Sequence, residues 1–158
     1  FWDDIENAAV NAIQSHSTQI VRNLKVHCRD GSFMFIELPS GRCLSYPKPE
    51  VHHSLSGHSE ISYEGFDSRT NHWGKSRTYG AKLVENIVQG TSRDFLAHAM
   101  NNLKNYRIIM HIHDEIVLEA TPDVKPSDVS DAMKPTPSWA DGLSLDVEAF
   151  SSPFYRKG

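Results

Sequence analysis

Arg107-Ile108-Ile109-Met110-His111-Ile112-His113-Asp114-Glu115-Ile116-Val117-Leu118-Glu119-Ala120 is a stretch of two apolar, β-branched runs that meet at an acidic turn. Each run has the length and composition of a strand. The stretch therefore predicts a β-hairpin over Arg107 to Ile112 and Glu115 to Ala120, with its tip at His113-Asp114. Immediately upstream, Arg77 to Leu103 carries the longest helical pattern in the chain. Val84, Val88, Thr91, Phe95, Ala99 and Leu103 fall on one stripe, and Lys82, Asn86, Gln89 and Arg93 on another. A hairpin behind a long amphipathic helix points to an α+β fold.

Further upstream, Trp2, Ile5, Ala9, Ala12 and Ile13 recur at helical spacing over residues 2 to 14, with acidic residues in the first turn where they suit the helix dipole. Lys25 to Arg29, Ser32 to Leu38 and Arg42 to Tyr46 read as a three-stranded meander, broken by Asp30-Gly31 and Pro39-Ser40-Gly41. Pro47 to Gly57 reads as a loop and Glu60 to Phe66 as another strand. Beyond the hairpin, a helix is expected from Ser127 to Lys134 and a last strand near Leu143 to Phe150. Together these elements predict one antiparallel sheet of short strands, with the long helix and shorter helices packed on it.

The 158 residues suffice for one domain with a real core, which is the default expectation. No apolar run reaches the ~20 residues a membrane helix needs, and the amino terminus has neither a basic start nor an apolar signal core. The simplest expectation is a cytoplasmic protein with no membrane partner. Cys28 and Cys43 lack metal-knuckle spacing, and the meander does not set them opposite each other, so both are expected to be reduced. The chain opens at Phe1 and runs straight into a helix, which leads us to expect further sequence upstream.

The formal net charge of −4 argues against wholesale wrapping of nucleic acid. Arg69, His72, Lys75, Arg77 and Lys82 nevertheless follow one another without an intervening carboxylate, which allows a local basic surface or a merely solvated loop. The polar stripe of the long helix has the same two readings. It is either a solvated face or a row of donors suited to phosphate, sugar or minor-groove acceptors.

Adjacent carboxylates at the tip of a buried hairpin repel unless a cation lies beside them. Hard oxygen ligands favour Mg²⁺ or Mn²⁺, and one or two such ions can activate an attacking hydroxyl and stabilise a leaving phosphate oxygen.

The string Ile109 to Val117, an apolar strand followed by His113-Asp114-Glu115 and a second apolar strand, resembles motif C of family A DNA polymerases. Tyr79-Gly80-Ala81-Lys82-Leu83-Val84-Glu85-Asn86-Ile87-Val88-Gln89-Gly90-Thr91 resembles the palm helix preceding that motif, especially in phage-type members. The resemblance continues through Leu38-Pro39-Ser40-Gly41-Arg42, Ile61-Ser62-Tyr63-Glu64-Gly65, Pro137-Ser138-Trp139-Ala140 and Phe154-Tyr155-Arg156-Lys157, so it covers nearly the whole chain.

It implies that residues 1 to 158 form the carboxy-terminal part of a polymerase domain, palm with part of the fingers, with a palm-type antiparallel sheet. Asp114 would be the ligand shared by two catalytic Mg²⁺ ions, Glu115 a supporting ligand, and His113 a neighbour of the primer terminus. Gln89 would donate to the minor-groove edge of primer-template DNA, with Lys82, Asn86 and Arg93 as further DNA contacts. On that helix the chain departs from bacterial members, which carry Asn where Glu85 stands, with Asn86 beside it.

A larger departure is that neither the family's Asp-Tyr-Ser strand (motif A) nor its Arg-Lys-Tyr helix (motif B), which binds the incoming deoxynucleoside triphosphate, occurs in the sequence. The resemblance therefore implies an incomplete metal site, with nucleotidyl transfer in DNA replication carried out by a longer protein and an inactive isolated chain. Two other readings stand beside it. One is a zinc-dependent hydrolase using His111, His113 and Asp114, with His52, His53 and His58 able to converge. The other is a non-catalytic DNA-binding module that uses the helix row and the Arg69 to Lys82 run.

Overall fold

The chain was analysed as a computed structural model that describes residues 1–53, 59–67 and 70–156. It divides into two compact units, Phe1–Thr91 and Ser92–Gly158, rather than the expected single domain. Gly57, His58, Arg69 and Lys157, which entered the sequence readings above, lie outside the described residues.

The first unit opens with α1 (Trp2–Ser15), whose Asp3 and Asp4 lie in the first turn and whose C-cap, His16, turns into the left-handed region at φ 52°. Ile5, Ala8, Ala9 and Ala12 are buried on one face, and the three alanines let the helix backbone approach the sheet closely. That sheet has four antiparallel strands in sequential order: β1 (Gln19–Val21), β2 (Leu24–Arg29), β3 (Phe33–Glu37) and β4 (Cys43–Pro47). Asp30 and Gly31 both take positive φ in the β2–β3 turn, as the Asp-Gly signal predicts. The short strand β1 was not expected; it pairs with β2 across Arg22-Asn23, a turn without Gly or Pro. Cys28 faces Met34, Cys43 faces Glu37, and both thiols are free.

A second sheet holds β5 (Glu50–His53), β6 (Ser59–Asp67) and β7 (His72–Thr78), again antiparallel and sequential. This corrects two expectations. Residues 50–53 form a strand where a loop was read, and residues 77–78 close β7 rather than open the long helix, which is α2 (Gly80–Asn102). Pairing with β6 supplies the order that β5 and β7 lack in their own sequence, since neither alternates in hydropathy. The two sheets are separate because Pro47 and Pro49 cannot donate to a ladder and Lys48 between them turns at φ 44°. The core of this unit joins the α1 face to Leu24, Val26, Met34, Ile36, Leu38, Tyr46 and Ile61 of the sheets and to Leu83, Val84 and Ile87 of α2. Val88, expected on the buried stripe, is 57% exposed; the helix face turned inward is that of Leu83 and Ile87.

The second unit contains the end of α2, with Leu96, Ala99 and Leu103 buried, and the hairpin β8 (Arg107–Ile112) and β9 (Glu115–Glu119). It then has α3 (Pro126–Met133) and a single 3-10 turn at Ser138–Ala140, whose Trp139 packs on Phe95 with ring centroids 4.6 Å apart. Leu143 to Phe150 does not form the expected strand: its alternation suits one, but no described segment supplies a hydrogen-bonding partner. Among the described residues the α+β class with antiparallel pairing is therefore observed, but as three sheets rather than one. No helix among the described residues is long and apolar enough to cross a membrane.

Candidate catalytic turn and nucleic-acid face

β8 and β9 pair as the sequence predicts, with Ile112 opposite Glu115 and His113-Asp114 as a two-residue turn. His113 takes φ 52°, a left-handed conformation that costs a residue with a Cβ some energy and is met mostly in turns and at functional sites. The register slips between Ile108 and Met110, which leaves Ile109 as a bulge, 52% exposed. Bulges re-aim a strand, and this one lies four residues before the turn.

The hairpin itself is not buried, contrary to the expectation. No residue of β8 or β9 is buried, because the two strands pair only with each other and have no further strand on either edge among the described residues.

The two carboxylates of the turn differ in surroundings. Asp114 is exposed and has no hydrogen-bond or ion-pair partner among the described residues. Glu115 is half-buried, and its Oε2 accepts a hydrogen bond from the Tyr155 hydroxyl at 3.3 Å. Burial, followed by the Glu115 charge and that hydrogen bond, pushes the Tyr155 phenol above its ordinary range.

Hard carboxylate oxygens suit Mg²⁺, which is commonly held by one or two carboxylates and completes its shell with water and substrate phosphates. The chemistry of this donor set therefore fits such an ion, with Asp114 the more available ligand. Among the described residues, no group of three or more His, Cys, Asp or Glu side chains converges as a complete metal site. His111, His113 and Asp114 form no such group. β8 ends at Ile112, and the positive φ of His113 takes that residue out of the strand alternation that would have put both imidazoles on one face.

Of the helix residues, Lys82, Asn86 and Gln89 lie in the first unit and Arg93 in the second. Lys82, Gln89 and Arg93 are exposed. The Gln89 amide donates to Glu85 Oε1 at 3.2 Å, one turn back along the helix, so the residue that departs from the bacterial pattern holds the glutamine. Asn86 is only partly exposed, and its amide donates to the Tyr46 hydroxyl at 3.1 Å. Tyr46 is buried against the edge of Tyr63, and burial raises its pKa despite the Asn86 bond. Asn86 thus ties α2 to β4.

A second tie comes from the turn between β3 and β4, where Arg42 donates to the Gly90 carbonyl at 2.6 Å. A Cβ at position 90 would stand 3.0 Å from Leu38 Cδ1 and 3.3 Å from Arg42 Nη2, so a glycine in mid-helix permits this close approach. Sequence reasoning assigned no role to Arg42, Tyr46 or Tyr155. Their partners are 40 or more positions away, and no periodicity connects them.

Within the run of cations before α2, Lys75 and Arg77 are paired with carboxylates. Lys75 bridges Glu50 at 2.5 Å and Arg77 bridges Glu60 at 3.1 Å, and Lys48 bridges Glu64 at 2.9 Å on the same sheet. The carboxylates come from β5 and β6 of the same sheet, so these two cations of the stretch are ion-paired in space, whereas Lys82 stays exposed.

Ser62, His52 and Glu50 also meet there, His52 Nε2 lying 2.9 Å from Ser62 Oγ and 3.3 Å from Glu50 Oε2. The arrangement is not a nucleophile with its base. Both partners use the same ring nitrogen, whereas an orienting carboxylate would take Nδ1, and Ser62 is only 2% exposed. An open hollow of about 710 Å³ beside His16, His27 and Asp30 includes none of the candidate residues. Its cysteine, Cys28, has its thiol pushed up by burial and is a poor nucleophile.

No protein-family model matches the chain, and no solved structure does. The chain is similar to the DNA polymerase of Bacillus phage SP02, with 38% identity over 161 aligned residues that take in 99% of this chain. It spans 25% of that polymerase's length.

Proposed function

We propose that this chain is part of a DNA-directed DNA polymerase of family A and supplies the motif C half of its palm site. The observation that carries the reading is the likeness to a phage DNA polymerase along 99% of the chain. The exposed Asp114 at a hairpin tip, without a partner among the described residues, supports it. Asp114 binds the catalytic Mg²⁺ directly, Glu115 supports it, and His113 stands toward the primer end. Mg²⁺ bound there would stabilise the charge that develops on the oxygens of a phosphoryl centre attacked by a primer 3′-hydroxyl.

The further metal-binding carboxylate and the triphosphate-binding helix come from another part of the longer protein, and the open edges of the β8–β9 hairpin suit a palm sheet completed there. Gln89 and Lys82 of the first unit contact primer-template DNA, with Asn86 holding their part of α2 to the sheet, and Arg93 of the second unit is a further DNA contact. The isolated chain does not polymerise.

The test is a hybrid enzyme in which this chain replaces the aligned quarter of the phage SP02 polymerase. The expected result is templated primer extension that Asp114→Asn lowers by about a thousandfold, or ~4 kcal/mol of barrier. A hybrid that folds and binds primer-template but extends equally well with Asn at position 114 would sink the reading.

A further inference from the structure

In the second unit the acidic turn is touched by a residue from the far end of the chain. The Tyr155 hydroxyl donates to Glu115 Oε2 at 3.3 Å across 40 positions of sequence. The tail is clipped beside it, with the Arg156 guanidinium 5.1 Å from the centre of the Phe150 ring. That cation–π contact closes the segment from which Tyr155 projects and reduces the freedom lost when the hydroxyl meets Glu115. Glu115 is also fixed through its backbone, as the first residue of β9 paired with Ile112. It is therefore held at both ends, while Asp114 beside it has no partner among the described residues.

We propose that Tyr155 is a positioning residue for the acidic turn: by holding Glu115 Oε2 it keeps that carboxylate as the supporting group and leaves Asp114 to take a divalent cation directly. The proposal rests on the reading of the turn as a metal site. Its physical basis is the repulsion between neighbouring carboxylates. A phenol proton shared with Glu115 draws off part of one charge and leaves Oε1 to accept from the water that a small hard cation keeps around it. Without that bond, Glu115 swings freely and competes with Asp114 for the ion.

Titration of the isotope-labelled chain with Mn²⁺, whose paramagnetism broadens nearby nuclear resonances, tests this without any enzymatic activity. In the unaltered chain, broadening should be strongest at Asp114 and weaker at Glu115. Tyr155→Phe keeps the ring and removes the donor. With Glu115 freed and its full charge restored, Mn²⁺ binding at the turn should tighten about three- to tenfold, the worth of one hydrogen bond, and the broadening should even out between the two carboxylates. Arg156→Gln should shift both readings the same way but less. Unchanged affinity and an unchanged broadening pattern in Tyr155→Phe would overturn the proposal while the metal site itself stands. If Mn²⁺ broadens no turn resonance even in the unaltered chain, the metal-site reading fails first and the proposal falls with it.

Discussion

The two units are built in opposite ways. In the first, a helix and two sheets close over a core that leaves Ile5, Val26, Met34, Ile36, Ile61 and Leu83 with no solvent exposure. In the second, a two-stranded hairpin carries the acidic turn with no buried residue in either strand. An isolated two-stranded hairpin is marginal in water. The difference teaches that the part of α2 in the first unit is a platform held by packing, whereas the turn in the second is positioned by a few specific contacts. A platform held by packing tolerates the loss of one polar contact, and a turn held by contacts does not.

Core truncation should expose that contrast most strongly. Ile36→Ala in β3 should cost about 2–5 kcal/mol of the first unit's stability, whereas Ile109→Ala, at a half-exposed bulge, should cost no more than ~0.5 kcal/mol. Denaturant melts followed by probes in each unit check both, and equal losses would erase the distinction. Next in size is Gly80→Ala at the start of α2. A methyl there would run into the Trp2 backbone oxygen, which cannot rotate away, in front of the amide that donates to Glu6 Oε2 at 3.1 Å. A loss of about 1–3 kcal/mol is expected despite alanine's better helix propensity. A stabilised variant would show that α1 does not clamp α2 as described.

Asn86→Ala sharpens the comparison at the level of one hydrogen bond, because it leaves the buried Tyr46 hydroxyl without its donor. The expected cost is about 1 kcal/mol, read as a lower midpoint of unfolding. The same change should not alter Mn²⁺ broadening at Asp114.

The smallest effect is that of pH. The Lys75 ammonium, by hydrogen bond and charge, holds the Glu50 carboxyl below its ordinary range, and Lys48 together with Trp73 does the same for Glu64. A carboxyl depressed in the folded state adds stability that is present above its unfolded pKa and lost as pH falls through the folded one. The first unit's melting temperature should therefore decline gently as the solution is taken through and below the glutamate range, and Glu50→Gln with Glu64→Gln should flatten that decline. Glu50 is exposed and Glu64 only partly covered, so the slope is modest.

What was legible in the sequence was local. Two apolar, β-branched runs meeting at a polar pair located the β8–β9 hairpin and its turn to the residue, Asp30-Gly31 located the tip between β2 and β3, and a 3.6-residue period located α2 to within three residues at its start. β5 and β7 were illegible because their order comes from β6. The segment 143–150 misled because alternation promises a strand without naming a partner.

The same division holds at the candidate site. By itself the sequence determined that Asp114 and Glu115 stand side by side at a hairpin tip, and that Gln89, Lys82 and Arg93 share a helix face, since both follow from chain geometry alone. Only the tertiary structure decided that Lys75 and Arg77 are ion-paired from neighbouring strands, that Asn86 is bound to Tyr46, and that the Tyr155 hydroxyl donates to Glu115 while Asp114 has no partner among the described residues. Each of these depends on residues brought together from distant parts of the chain, and pairing across such distances is set by strand register and packing, which no local pattern encodes.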